Sequence, residues 1–231
     1  MGSMPPVPVK MVCLGWPDSG EAASSVLEAA SEMGAETDFI FNQIDIIGGG
    51  LDHGSIDWRT CLGTAHWLLV SSSDVLGDEE MRGAWGASMA FAELEGSKTA
   101  MIVSVPDDPD RMAEAWGRVI ERIRQIHLLF LTPDAIEAVA RIEETEPEWI
   151  LGEVRDRGMV PLVCSFDPSE MVARVAHSLG DEVVEIESEM DFDRWLAGFL
   201  CGLPLSGPGE SGIEGAAKSV GHDRTSIGHS T

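Results

Sequence analysis

The sequence predicts an α/β chain, a three-layer structure with a mostly parallel sheet of about six to seven strands and helices on both faces. Three observations predict it. Short apolar runs alternate with longer segments of helical periodicity, the rhythm of βαβ units. Two runs, HWLLVSS (66–72) and TAMIVSV (99–105), are apolar at nearly every position, as strands covered on both faces must be. The chain of 231 residues is 44% hydrophobic, enough for one substantial core.

In chain order the strands are expected at KMVCLG (10–15), TDFIFN (37–42), 66–72, 99–105, HLLFLT (127–132), VPLVCSF (160–166) and EVVEIE (182–187). The runs at 66–72 and 99–105 should be central. Between the strands, SSVLEAASEM, AWGASMAFAELEG and AEAWGRVIERIRQI carry apolar residues three and four apart, and Gly34 and Gly96 are placed to end the first two helices. The Trp and Met residues on these helices read as sheet-facing packing groups. From Pro204 onward the chain is rich in Gly and Ser, so a loosely packed tail is expected.

The net charge is −25, with only three lysines, Lys10, Lys98 and Lys218. Such a surface repels nucleic-acid phosphates and anionic lipid, so neither nucleic-acid binding nor membrane insertion is expected. Cys13, Cys61, Cys164 and Cys201 are far apart and form no CxxC pair; they read as reduced core thiols, with no metal site. MGSMPPVPVK has no signal-peptide apolar core, so the expected location is cytoplasmic.

Ligands of parallel α/β sheets sit at the carboxyl ends of the strands. After the first strand, Gly15-Trp16-Pro17-Asp18-Ser19-Gly20 runs into a helix at Glu21. Amides at that helix start can meet phosphate, although Asp18 and Glu21 place negative charge there; the alternative is a plain strand-to-helix turn. After the second strand, Asn42 and Asp45 precede Gly48-Gly49-Gly50, which suits either close approach to a ligand or a long connection. After the third, Ser71-Ser72-Ser73 runs into Asp74, Gly77 and Asp78, where hydroxyls favour an anion and carboxylates oppose it. Asp167-Pro168-Ser169-Glu170 is expected to open a helix. Its two acids either cap that helix or orient a water or metal for phosphoryl chemistry.

In this order the segments resemble the FtsZ/CetZ branch of the tubulin superfamily. VKMVCLGWPDSGEA is similar to its first strand and nucleotide loop, FNQID to its asparagine-threonine-aspartate turn, and EGSKTAMIVSVPDDPDRMAEAWGRVIERIRQIHLLFLTPDAIEAV to the stretch from strand five to the central helix. SFDPSEMVARV occupies the place of the synergy loop. The resemblance implies a Rossmann-like domain of the FtsZ/tubulin type at 7–132, a central helix with an abbreviated segment at 133–204, and a tail at 205–231. It implies GTP or GDP held weakly by Gly15, Ser19, Gly20, Asn42, Gly49, Gly50, Ser72, Ser73 and Gly77, with Asp167 and Glu170 as the catalytic acids. Self-association, or pairing with an FtsZ/CetZ-like partner, in a cytoskeletal or cell-division role follows. The glycine-rich phosphate loop of that family is replaced here by SSSDVLGDEEMRG, which implies weak or absent GTP hydrolysis. A second resemblance, to TIR-like or flavodoxin-like modules, rests on Trp149 and Glu153, four residues apart, and implies an NAD-related signalling role.

Overall fold

The computed structural model describes residues 8–43, 52–207 and 209–221. Among the described residues eight strands form one sheet: β1 (Lys10–Cys13), β2 (Glu36–Phe39), β3 (Trp67–Ser71), β4 (Lys98–Val103), β5 (Leu128–Leu131), β6 (Leu162–Asp167), β7 (Val172–His177) and β8 (Gly180–Glu185). Their order is β2-β1-β3-β4-β5-β6-β7-β8. The pairs from β2 through β6 are parallel, and β6–β7 and β7–β8 are antiparallel. The fold is therefore α/β with a mostly parallel sheet, one strand larger than expected. β3 is buried along its whole length and β4 from its second residue on, which is why both runs lack polar alternation.

Eight helices flank the sheet among the described residues: α1 (Ala22–Glu32), α2 (Trp58–Leu62), α3 (Glu79–Glu95), α4 (Met112–Glu121), α5 (Pro133–Glu143), α6 (Ile150–Gly158), α7 (Phe192–Ser206) and α8 (Glu210–Lys218). Successive strand residues point to opposite faces. Val12, Val70, Met101 and Leu129 pack with α2 to α6, whereas Cys13, Leu69, Ile102 and Phe130 pack with α1, α7 and α8. This gives two cores and three layers. Gly96 ends α3 with a left-handed backbone at φ 81°, its N–H meeting carbonyls of the last turn, as its place in the sequence suggests. Cys13, Cys61 and Cys164 are buried in these cores. No described helix is long and apolar enough to cross a membrane.

Two expectations are corrected. Residues 167–170 open no helix. They form the turn of the β6–β7 hairpin, in which the Asp167 Oδ1 accepts from the Ser169 N–H at 2.8 Å and the Glu170 N–H at 3.3 Å. A helix N-cap would offer the same local bonds, but the register of Asp167 on Val172 makes this a strand pair.

The region after Pro204 is not loosely packed throughout. α8 buries Ile213, Ala216 and Ala217 against α7, and the Trp195 indole N–H donates to the Ala217 carbonyl at 3.3 Å. Small residues permit the approach: a Cβ on Gly212 would lie 2.4 Å from the Gly207 carbonyl oxygen and 2.6 Å from that of Ser206. Gly212→Ala should therefore cost about 1–3 kcal/mol, read as a lower denaturation midpoint. A variant as stable as the parent would show that the α7–α8 junction yields.

Candidate functional site at the carboxyl edge

The loops leaving β1 and β3 meet over the carboxyl edge because those strands are neighbours, with Met11 paired to Trp67 and Cys13 to Leu69. The β1 loop is pinned from within. Pro17 fixes the backbone before Asp18, which adopts φ 55° and donates its N–H to Glu28 Oε1 at 3.0 Å. The Ser19 hydroxyl donates to Ser24 Oγ at 3.0 Å and accepts the Glu21 N–H at 3.3 Å. Gly15 leaves room for Ser24: a Cβ there would lie 2.9 Å from Ser24 Oγ and would have to displace that hydroxyl.

The carboxylate of Glu21, at the start of α1, makes no cap bond. It reaches across to β3 instead, accepting from the Ser73 hydroxyl at 2.8 Å. Ser73 has one hydroxyl proton and gives it to Glu21, so in the 2.7 Å contact between Ser71 Oγ and Ser73 Oγ the Ser71 hydroxyl is the donor. Asp74 closes the set by accepting the Ser71 N–H on Oδ2 at 3.0 Å. The Trp85 indole N–H holds the Ser71 carbonyl at 3.0 Å. Burial pushes the Asp74 carboxyl up to about 7; the Ser71 N–H opposes that shift and the charge of Glu21 adds to it. Burial, with the charge of Asp74 second, likewise raises the nearby Cys13 thiol well above its ordinary range. The Ser72 hydroxyl is buried and has no hydrogen-bond partner among the described residues.

The other loops repeat the acidic theme. Asp78 caps α3, Asp108 caps the turn before α4, Asp134 lies in the first turn of α5, and Asp191 and Asp193 begin α7. Among the described residues Arg82 and Arg111 reach the edge near these loops and both are engaged, Arg82 on the Gly77 carbonyl at 2.8 Å and Arg111 on that of Leu76 at 3.0 Å. Helix starts that could hold phosphate through their amides are thus fronted by carboxylates.

Of the residues singled out from sequence, Gly15, Ser19, Gly20, Ser73 and Gly77 lie on these two loops, with Ser72 directly after β3. Asn42 falls in a single turn at Ile40–Gln43, and Gly49 and Gly50 lie outside the described residues. Asp167 and Glu170 stand on the β6–β7 hairpin. β4 and β5 separate β3 from β6, so the pair is roughly 14 Å along the sheet from the β1–β3 network, at about 4.8 Å per strand. Asp167 Oδ1 also accepts the Ser169 hydroxyl at 2.6 Å, and that hydroxyl is the main reason its carboxyl titrates below its usual range. Glu170 pairs with Arg174 at 3.2 Å. In the sequence, Glu21 and Asp74 stand out only as charges opposing phosphate. Their linkage through Ser73 and Ser71 depends on β1 lying beside β3, and the local signal for it was the run SSSD directly after a buried strand.

No protein-family model matches the chain and no curated protein matches it. Solved structures do. The fold is similar to that of a fructokinase from Xylella fastidiosa with bound ATP, at a TM-score of 0.71 and 10% identity over 92% of this chain and 89% of that one. It is similar to a PfkB protein from Polaromonas, at 0.69 and 11% over 93% and 95%. A fructokinase from Vibrio cholerae with fructose, ADP and calcium bound matches at 0.64 and 14% over 92% and 90%. The chain therefore has the fold of these carbohydrate kinases, and two of the three carry an adenine nucleotide. This overturns the FtsZ/CetZ resemblance, with the cytoskeletal and cell-division roles attached to it, and gives no support to the TIR-like or flavodoxin-like alternative. The order of apolar runs behind the first resemblance is shared by many α/β folds, and Trp149 and Glu153 behind the second are four residues apart across the start of α6.

Proposed function

We propose that this chain binds a small polyhydroxylated molecule of the sugar class at the carboxyl edge and transfers phosphoryl groups poorly or not at all. The observation that carries the reading is the set of carboxylates and hydroxyls on the β1 and β3 loops, Glu21, Ser73, Ser71 and Asp74, tied together at 2.7–3.0 Å. Sugar hydroxyls are donors that carboxylates accept well, through charge-assisted bonds. The likeness to structures of fructokinases, one of them holding fructose, supports the same ligand class.

Phosphate fares differently. A nucleoside triphosphate would meet Glu21, Asp78, Asp191 and Asp193 at the helix starts where backbone amides would otherwise hold it. Repulsion between like charges lowers its affinity unless magnesium accompanies the phosphates. ATP, not GTP, is the nucleotide to test first, because the fructokinase structures carry ATP and ADP.

Calorimetric titration and thermal unfolding of the whole chain with fructose, ribose and MgATP, alone and combined, test this reading. A sugar at a hundred times its Kd should stabilise the fold by about 2.7 kcal/mol. Glu21→Gln should weaken sugar binding by about tenfold, and ADP release should stay at background. If neither sugar shifts the unfolding temperature, the binding claim fails; brisk sugar-dependent ADP release would overturn the claim of weak transfer.

A further inference from the structure

The opposite edge of the sheet has a different chemistry. The register pairs Met11 with Trp67, Trp67 with Lys98, and Ala100 with Leu128. Lys10, His66, Lys98 and His127 therefore stand at the starts of four adjacent strands, β1, β3, β4 and β5, in a row along the amino edge. Two of the three lysines of a chain with net charge −25 are in that row. Beside it lies a cavity of about 270 Å³ whose lining includes Thr64, His66, Trp67, Glu95, Lys98 and Pro204.

The hydrogen bonds around this cavity leave it rich in donors. Lys10 Nζ donates to Thr64 Oγ1 at 3.0 Å and pairs with Glu36 at 3.4 Å, so the Thr64 hydroxyl keeps its own proton to give. His66 Nδ1 accepts the Lys10 N–H at 3.1 Å, which places the proton of the neutral imidazole on Nε2. The Lys98 ammonium lies 5.7 Å from the centre of the Trp67 ring, and among the described residues no carboxylate comes within ion-pair distance of it. Glu95, the acid in the wall, accepts from Arg59 Nε at 3.2 Å.

Carbonyls at the neighbouring helix ends are met by internal donors and so do not draw on the Lys98, His66 and Thr64 donors. The Ser97 hydroxyl lies 2.8 Å from the carbonyls of both Leu62 and Ala65 and shares its one proton between them, and the Gly63 N–H donates to that of Arg59 at 2.9 Å. The repulsion of the distant acids is damped beyond a Debye length of about 8 Å at physiological salt, so the local surplus of donors governs.

We infer that this cavity is a second binding site, separate from the carboxyl edge, for a small anion carrying a phosphate or carboxylate on an apolar body. The anionic group is held by Lys98, His66 and Thr64, and the body rests against Trp67 and Pro204. Phenyl phosphate, with benzoate and inorganic phosphate beside it, tests this by calorimetric titration of the whole chain at low and high salt. Phenyl phosphate and benzoate should each bind saturably and more tightly than inorganic phosphate, with affinity falling as salt rises.

Lys98→Gln should weaken phenyl phosphate by about tenfold or more. Lys98→Arg should retain it, and Lys218→Gln, the same change of charge on the remote lysine, should leave it unchanged. Absence of saturation, or affinity equal in Lys98→Gln and the parent, or an equal loss in Lys218→Gln, overturns the inference. None of these outcomes depends on sugar binding at the other edge.

Discussion

Asp74→Asn should make the protein more stable above neutral pH and change it little in acid. The Asp74 carboxyl titrates at about 7 in the fold against an ordinary value of 3.8. Below pH 4 it is protonated in both folded and unfolded chains and has no effect on the balance. As pH rises from 4 to 7 the unfolded chain loses this proton while the folded chain keeps it, so stability falls; above 7 both are ionised and the loss is complete. A shift of about three units corresponds to roughly 4 kcal/mol. Asp74 retains partial solvent contact, so about 2–4 kcal/mol is the expected range.

Asparagine keeps an oxygen to accept the Ser71 N–H and removes the charge. In urea unfolding the advantage of the variant should be small at pH 4.5 and near its full size at pH 8. Parallel pH profiles for the two proteins would refute the burial argument. The same titration bears on function, because above neutrality Asp74 adds a second negative charge beside Glu21, where a phosphate would fare worst.

The interior parallel strands were legible because burial on both faces leaves a contiguous apolar run; all seven expected runs overlap strands, the partly exposed edge strand β2 and the antiparallel β8 among them. β7 was not legible. Val172-Ala173-Arg174-Val175-Ala176-His177 follows Asp-Pro-Ser-Glu-Met, and an aspartate accepting N–H groups two and three residues on serves a hairpin turn as well as a helix start. Only the cross-strand register distinguishes them. α8 escaped notice for another reason: Gly212, Ala216 and Ala217 bury little area each, so composition suggests a tail, whereas their small size is what lets the helix approach α7. The network of Glu21, Ser73, Ser71 and Asp74 joins residues 53 positions apart at its extremes, and nothing local in either loop foretells that β1 and β3 are neighbours. The amino-edge row needed the same knowledge of strand order.

The largest loss of stability from a single change is expected at Trp195. Its indole is fully buried and stacks on Phe199 at 5.0 Å and Phe166 at 5.5 Å, with Phe130 at 6.2 Å, while its N–H reaches the Ala217 carbonyl. One side chain thus joins α7 to β5, β6 and α8. Trp195→Ala removes the stacking and leaves a cavity, at a cost of about 3–5 kcal/mol; it also leaves the Ala217 carbonyl without this donor, adding about 1 kcal/mol.

Trp195→Phe keeps an aromatic ring and should lose about half as much. α7 carries Asp191 and Asp193 at the carboxyl edge, so loosening its anchor should also speed amide exchange at the helix start and in α8, while the β3 and β4 amides remain protected until global unfolding. A Trp195→Ala protein within 1 kcal/mol of the parent would mean that α7 is held chiefly by Leu196, Phe199 and Leu200, and that α8 docks without the indole.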